Sequence, residues 1–113
     1  MSEESITIRE SRDIKIVDVN ENLGGHVFAS LREILNELLA QKVQQIVVNL
    51  SQVQHINSLS IGVLVGTAKK LRSGGGDLKV YGLTDGIRQI FDLIATSEII
   101  EIYDSERTAL DAF

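Results

Sequence analysis

The apolar run QIVVNL at residues 45–50 limits the possible folds more than any other segment, and a helical pattern follows it. A nearly continuous, β-branched run of this length is typical of a strand that is covered on both faces. Beyond it, apolar residues spaced three and four apart predict an amphipathic helix, with Lys69, Lys70 and Arg72 outside the apolar stripe. A central strand that leads into a helix predicts an α/β domain with parallel strands. The stripe of this helix consists of Ile61, Leu64, Val65, Ala68 and Leu71.

The N-terminal part of the chain begins with two short alternating segments. SITIR at 5–9 and IKIVDV at 14–19 alternate apolar and polar residues, which predicts a β-hairpin. The apolar spacing then changes to three and four residues, which predicts a first helix over about 28–41. The predicted apolar stripe of this helix contains Phe28, Leu31, Ile34, Leu35, Leu38 and Leu39.

The C-terminal part continues the alternation of strand and helix. LKVYGL at 78–83 and IIEIY at 99–103 predict strands, with a third amphipathic helix between them and a short closing helix after them. The predicted order is ββαβαβαβα in a mixed sheet, whose later strands are parallel and are joined by right-handed crossovers. The predicted caps are Thr84 or Asp85 for the third helix and Asp104 or Ser105 for the last, and the third apolar stripe is Ile87, Ile90, Phe91 and Ile94.

Length and composition limit the function classes. A chain of 113 residues predicts a single domain over 1–113. A net charge of -5 and 4% aromatic residues argue against a nucleic-acid partner, and the absence of cysteine excludes disulfides and thiolate chemistry. The acidic start MSEESITIRE is unlike a signal peptide, and no apolar stretch has the length that spans a bilayer. We therefore expect a cytoplasmic protein with no membrane partner.

Glycines mark two places where the backbone needs separate explanation. The segment RSGGGDLKV has glycines like a phosphate-binding loop, but it ends a helix and enters a strand, which predicts a helix C-terminus and a turn. Gly62 and Gly66 lie one turn apart inside a helix, where each costs about 1 kcal/mol relative to alanine. We expect close packing against the sheet or a neighbour to compensate for this cost.

The histidines and serines provide no recognisable catalytic site. His26 and His55 are the only histidines, and both are expected in loops near the surface. His55 precedes Ser58 by three residues, but the surrounding sequence lacks the Gly-x-Ser-x-Gly turn of the α/β-hydrolases. A hydrolase that uses Ser58 and His55 is the weakest of three hypotheses, and we expect neither an enzyme activity nor a metal site.

The segment NSLS at 57–60 allows two interpretations. By position alone, Asn57 or Ser58 caps the second helix, because a side-chain oxygen there accepts an otherwise unpaired N–H. A serine hydroxyl at this point also lies at the carboxyl end of a central strand, where open α/β sheets place their sites. The positive end of the helix dipole would tolerate a phosphate on such a serine.

The segment VVNLSQVQHINSLSIGVLVG resembles the signature of STAS domains, in particular the bacterial anti-sigma-factor antagonists. That pattern has an apolar strand, Asp-Leu-Ser, a short turn, and Asp-Ser-Ser/Thr-Gly-Leu-Gly. The resemblance covers the whole chain, because the element order of the family is the predicted one. It implies a domain that binds an anti-sigma factor with serine-kinase activity and thereby releases a sigma factor. Phosphorylation of the signature serine blocks this binding, and a serine phosphatase restores it.

In this resemblance Ser58 matches the phosphorylated serine, and Ser60 is an alternative acceptor in place of the first glycine of the pattern. Gly62 matches the second glycine, and Leu50-Ser51 matches the end of Asp-Leu-Ser. Three positions that are acidic in the pattern hold neutral residues in this chain. Two interpretations therefore stay open: a protein that is a weaker substrate of the kinase, or one that serves a different partner. They are Gly24, Asn49 and Asn57.

The resemblance also implies where the partner binds and what the domain lacks. No cofactor is expected, because ATP and magnesium would come with the partner kinase, and the domain would be a monomer or a weak dimer. The alternative is a STAS scaffold or accessory subunit of another complex, in which Ser58 is only a helix cap. The expected partner-binding residues are Gly24, Gly25, His26, His55, Asn57, Ser58, Leu59 and Ser60.

Overall fold

A computed structural model describes residues 5–93 and 99–113. The elements follow the predicted order ββαβαβαβα, which is confirmed. They are β1 (Ile6–Ser11), β2 (Ile14–Val19), α1 (Gly25–Ala40), β3 (Gln45–Asn49), α2 (Ser58–Ser73), β4 (Asp77–Tyr81), α3 (Asp85–Leu93), β5 (Glu101–Tyr103) and α4 (Glu106–Asp111).

The five strands form one sheet in the order β1-β2-β3-β4-β5. The pair β1–β2 is antiparallel and the other three neighbouring pairs are parallel, which confirms the predicted mixed sheet. Arg12 and Asp13 make the hairpin turn with φ angles of 55° and 63°. Two successive positive φ angles indicate a type I′ turn, whose twist matches that of the two strands. Because β2 to β5 are parallel, their carboxyl ends lie along one edge of the sheet.

Helices cover both faces of the sheet, and successive side chains of a strand alternate between them. Ile46, Val47 and Val48 of β3 are all fully buried, which confirms the prediction of a strand covered on both sides. The face under α1, α2 and α3, called the α1–α3 face, contains Val17, Val19, Ile46, Val48, Leu78 and Val80. The opposite face, called the α4 face, contains Ile14, Ile16, Val47 and Tyr81 in contact with Ala109 and Leu110 of α4.

The first helix begins three residues earlier than its predicted start at 28. Val27 is buried with Leu31 and Leu35, whereas Phe28 is only half-buried. The buried stripe keeps Leu31 and Leu35 from the predicted one and begins at Val27 in place of Phe28. Phe28 lies at the border of this stripe, where the Arg32 guanidinium is 5.4 Å from the centre of its ring.

Several strand ends also differ from the predicted bounds. β1 extends past residue 9 to Ser11, and β4 ends at Tyr81 because the next residue, Gly82, has a φ of 80°. β5 begins at Glu101, two residues later than predicted. The predicted apolar position Ile94 of the third helix lies outside the described residues.

The caps of the last two helices follow the sequence pattern. The Ile87 N–H donates to Thr84 Oγ1 (3.3 Å), so Thr84 caps α3. Ser105 caps α4, because its Oγ accepts from the Thr108 N–H (3.2 Å) and Thr108 Oγ1 accepts from the Ser105 N–H (3.3 Å). This reciprocal pair is a capping box, with threonine in the position usually held by glutamate or glutamine.

The glycine predictions have opposite outcomes. The turn after α2 is confirmed, and at Gly76 a Cβ atom would lie 1.9 Å from the Gln44 carbonyl oxygen, so no larger residue fits. The expected close packing at Gly62 and Gly66 is wrong, because a Cβ atom at either position would meet no described atom within 4 Å. Lack of space among the described residues therefore does not explain either glycine.

Candidate partner-binding site

The N-terminal ends of α1 and α2 lie side by side at the carboxyl edge of the sheet. Leu23 and Ile56 form a parallel bridge directly before the two helices. The Leu23 N–H donates to the His55 carbonyl (2.9 Å), and the Asn57 N–H donates to the Leu23 carbonyl (3.1 Å). These bonds bring together the two segments that were predicted to bind a partner. The surface that they form, called the Ser58 surface, consists of Gly24, Gly25, His26, His55, Asn57, Ser58 and Leu59.

Asn57, and not Ser58, is the cap of α2. Its Oδ1 accepts hydrogen bonds from the Ser60 N–H (2.8 Å) and from the Ser60 hydroxyl (2.6 Å). Ser60 is fully buried. Its burial and its bond to Asn57 remove it from the accessible residues, which corrects the expectation that Ser60 is an alternative phosphate acceptor and a partner contact.

Ser58 is the first residue of α2 and is exposed to solvent. Because Asn57 supplies the cap, the Ser58 hydroxyl is not needed to satisfy the end of the helix. Leu59, the next residue, has 63% of its surface exposed, whereas most of the leucines that the structure describes are buried. The Ser58 surface therefore presents an exposed hydroxyl next to an apolar side chain.

The electrostatic character of the Ser58 surface differs from that of the whole chain. Neither α1 nor α2 has an acidic residue in its first turn, although the net charge of the chain is -5. Gly24 caps α1 without a side chain. The positive ends of two helix dipoles thus meet at a place without a carboxylate in either first turn, where a negative charge is tolerated.

The two histidines both lie on the Ser58 surface. Both are exposed; His55 is in a loop as expected, whereas His26 belongs to the first turn of α1, which corrects its predicted place in a loop. Within residues 5–93 and 99–113, neither imidazole forms an ion pair with a carboxylate or a hydrogen bond with Ser58. No cluster of three metal-ligating side chains occurs in this described part either.

Asn22 is a structural residue of the site that the sequence pattern did not reveal. Its Oδ1 accepts from the Gln54 N–H (2.7 Å) and from the His55 N–H (3.1 Å). It therefore holds the middle of the loop that connects β3 to Ser58. A surface depression of about 490 Å³ lies beside these contacts, with Asn22, His26 and Gln54 among its lining residues.

A polar network lies at the border of the α4 face. Arg9 donates two hydrogen bonds to the Asp18 carboxylate (2.5 and 2.8 Å) and one to Glu106 at the start of α4 (2.7 Å). The Tyr81 hydroxyl also donates to Glu106 (3.1 Å). The network thus ties the edge strand β1 to the central strands and to α4.

These contacts shift the protonation equilibria of the network. The hydrogen bonds from Arg9 lower the pKa of Asp18 and that of Glu106 below their usual values. Burial, together with the bond to Glu106, raises the pKa of Tyr81 to about 12. Both carboxylates are therefore ionised and the phenol is neutral at pH 7.

Comparison with known proteins gives a consistent result. The family model described as the STAS domain matches residues 5–109. The anti-sigma-B factor antagonist of Bacillus subtilis (strain 168) is 30% identical over 88 residues, which cover 75% of this chain and 81% of that protein. The anti-sigma F factor antagonist of Paenibacillus polymyxa is 26% identical over 106 residues, which cover 93% and 91%.

Solved structures show the same fold. An anti-sigma factor antagonist from Mycobacterium paratuberculosis superposes with a TM-score of 0.83 at 21% identity, covering 95% of this chain and 91% of that one. The Bacillus cell fate determinant SpoIIAA in its phosphorylated form has a TM-score of 0.74 at 16% identity, covering 95% and 97%. Among the described residues, no helix is long and apolar enough to cross a membrane.

Proposed function

This chain belongs to the STAS domain family, and from that premise we propose that it is an anti-sigma factor antagonist whose binding is switched by phosphorylation of Ser58. The unphosphorylated Ser58 surface binds an anti-sigma factor that has serine-kinase activity, and this binding releases a sigma factor. The kinase brings ATP and magnesium, and a serine phosphatase reverses the modification. Relatives that are named as antagonists of anti-sigma factors support the binding role.

The main support for the switch is that Asn57 and Ser58 have different roles at the start of α2. Asn57 satisfies the first N–H groups of α2, so the exposed Ser58 hydroxyl is available to a kinase without loss of the cap. A phosphate there adds a charge of about -1.5 to -2. The helix N-terminus accepts this charge within the domain, so the effect on folding is small. A partner that packs over Ser58 must instead desolvate the dianion, so the effect on binding is large.

The test begins with co-purification from the native cell, which identifies the anti-sigma factor, followed by calorimetric titration of the purified pair. Ser58→Ala is expected to bind like the wild type and to resist phosphorylation. Ser58→Asp is expected to bind much more weakly and to unfold at the same urea concentration as the wild type. Undiminished binding by Ser58→Asp, or full phosphorylation of Ser58→Ala at another residue, supports the alternative of a STAS scaffold without this switch.

Leu59 allows a second test of the same surface with a matched control. We expect Leu59→Ala to weaken binding of the anti-sigma factor about tenfold or more, because an exposed leucine at an interface centre loses its apolar contact when truncated. Ile8 on β1, with 46% of its surface exposed, lies away from Ser58, and Ile8→Ala is expected to leave binding unchanged. Equal effects of the two substitutions argue against a docking role for the Ser58 surface.

A further inference from the structure

Asn49, the last residue of β3, uses both ends of its side-chain amide. Its Oδ1 accepts from the Ser51 N–H (2.9 Å) and from the Ser51 hydroxyl (2.7 Å), which fixes the first turn after the strand. Its Nδ2 donates to Asp18 Oδ1 (2.8 Å) on the neighbouring strand. Asp18 and Asn49 are register partners in the sheet, so the contact is built into the strand pairing.

Asp18 favours a hydrogen-bond donor over a second carboxylate at position 49. Only 12% of its side chain is exposed, and the Arg9 guanidinium holds both of its oxygens. An aspartate at 49, which the STAS signature usually has, could still accept from Ser51 but could not donate to Asp18. It would place two carboxylate oxygens within hydrogen-bond distance of each other, and two such charges cannot both be ionised without a large cost. The amide at 49 and the carboxylate at 18 are therefore complementary.

The loop that begins at Asn49 leads directly to Ser58. Asn49 holds its start at Ser51, and Asn22 holds its middle at Gln54 and His55. Asn57 then fixes the entry into α2 through Ser60. In each case a carboxamide oxygen accepts two hydrogen bonds, so three asparagines define the path of this loop within the described structure.

We propose that Asn49 is a positioning residue for Ser58, and that Asp18 and Asn49 form a matched pair that fixes the start of the loop carrying the phosphate acceptor. The pair replaces the carboxylate usual at position 49 without loss of the turn, since the amide oxygen takes over the contacts with Ser51. When the two side chains no longer match, the start of the loop becomes more mobile. Ser58 is then less often in the position that a kinase needs. The part that concerns kinase presentation rests on the proposed function, whereas the part that concerns the loop does not.

The pair is tested by amide hydrogen exchange, measured by NMR on the full chain, in Asn49→Asp, Asp18→Asn/Asn49→Asp and Val47→Ala. Asn49→Asp is expected to speed exchange of the Ser51, Gln54 and His55 amides about five- to tenfold, the effect of losing about one hydrogen bond. The swapped double variant Asp18→Asn/Asn49→Asp restores one donor opposite one carboxylate, but it leaves the Arg9 guanidinium one oxygen at position 18 instead of two. Its loop amides are therefore expected to exchange more slowly than those of Asn49→Asp without reaching the wild-type rate. Val47 is buried on the α4 face, so Val47→Ala controls for loss of stability alone.

Any of three results overturns the proposal. The first is that the loop amides of Asn49→Asp exchange at the wild-type rate, and the second is that those of Val47→Ala exchange as fast as those of Asn49→Asp. The third is a swapped double variant whose loop amides exchange as fast as those of Asn49→Asp. Phosphorylation by the co-purified kinase gives a second measurement, in which Asn49→Asp is expected to lower kcat/KM at Ser58 while Val47→Ala does not. If wild-type Ser58 is not phosphorylated at all, the proposed function fails. The amide exchange rates still test whether Asp18 and Asn49 fix the start of the loop. If the wild type is phosphorylated and both variants react equally, the positioning role is rejected.

Discussion

The two faces of the sheet differ in what holds their helices. On the α1–α3 face, three helices of 9 to 16 residues bury a continuous apolar cluster. On the α4 face, a helix of six residues covers a small cluster, and charged side chains at its border form ion pairs. Burial on the first face depends little on pH or salt, whereas the ion pairs on the second depend on both. The stability of α4 is therefore adjustable by conditions in a way that the main core is not.

Lys79 is a charged residue that is buried on the α4 face. Only 4% of it is exposed, and its Nζ contacts Asp77 (3.2 Å) and Glu101. The ammonium also lies 4.9 Å from the centre of the Phe113 ring. A lysine that is buried to this degree is tolerated because carboxylates and an aromatic ring make the contacts that water would otherwise make with the ammonium.

Truncation of a buried leucine tests the α1–α3 face. Leu64 on α2 is fully buried, so Leu64→Ala should lower the free energy of unfolding by roughly 2–5 kcal/mol through lost burial and a residual cavity. Urea denaturation followed by circular dichroism measures this difference. A loss below about 1 kcal/mol would mean that α2 does not pack on the sheet as described.

The next effect tests the pH dependence of the α4 face. Asp18→Asn removes a carboxylate that accepts from Arg9 and Asn49, and it should cost roughly 1.5–3 kcal/mol at pH 7. Because the pKa of Asp18 is lowered by folding, its stabilisation is present above the unfolded pKa of about 3.9 and is lost as the pH falls through the folded pKa. The gap between wild type and variant should therefore narrow below about pH 4.

Urea midpoints of wild type and Asp18→Asn, measured from pH 7 to pH 3, check this expectation. Leu64→Ala is the control, because its deficit involves no titrating group and should stay nearly constant over the same range. A gap that is equally wide at pH 3 and pH 7 contradicts an electrostatic role for Asp18.

A smaller loss of stability is expected when one hydrogen bond of the network around Asp18 and Glu106 is removed. Tyr81→Phe keeps the buried ring on the α4 face and removes only the hydroxyl that donates to Glu106. The expected cost is roughly 0.5–1.5 kcal/mol. In a Glu106→Ala background, which has no acceptor at this position, Tyr81→Phe should change the unfolding free energy little if the bond to Glu106 accounts for the cost.

The fold could be predicted from the sequence because each element has its own hydrophobic period. QIVVNL and the stripe of α2 contain enough apolar residues to define one strand and one helix without knowledge of the rest. The error at the start of α1 has a simple cause, since Val27 and Phe28 are adjacent apolar residues and only one faces the sheet. The sequence alone does not say which residue of such a pair is buried.

The site could be predicted only in part. Ser58 and the cap were found because they occur next to each other at a helix start. Asn22 and Asp18 were missed because their contacts join residues 31 to 33 positions apart, which only the strand pairing brings together. The burial of Ser60 was missed for a different reason, since a serine in a first turn can face either the solvent or the sheet.

A substitution on the exposed side of α2 tests the orientation of this helix. Lys69 is exposed on the same helix as Leu64 and lies outside its buried stripe, so Lys69→Ala removes neither core volume nor an ion pair that the described residues contain. Alanine also has a slightly higher helix propensity than lysine, which opposes any small loss. The unfolding free energy should change by less than about 0.5 kcal/mol. Since Leu64→Ala in the same helix is expected to cost several times more, equal urea midpoints for the two variants would mean that α2 is rotated from the orientation that presents Ser58 to solvent.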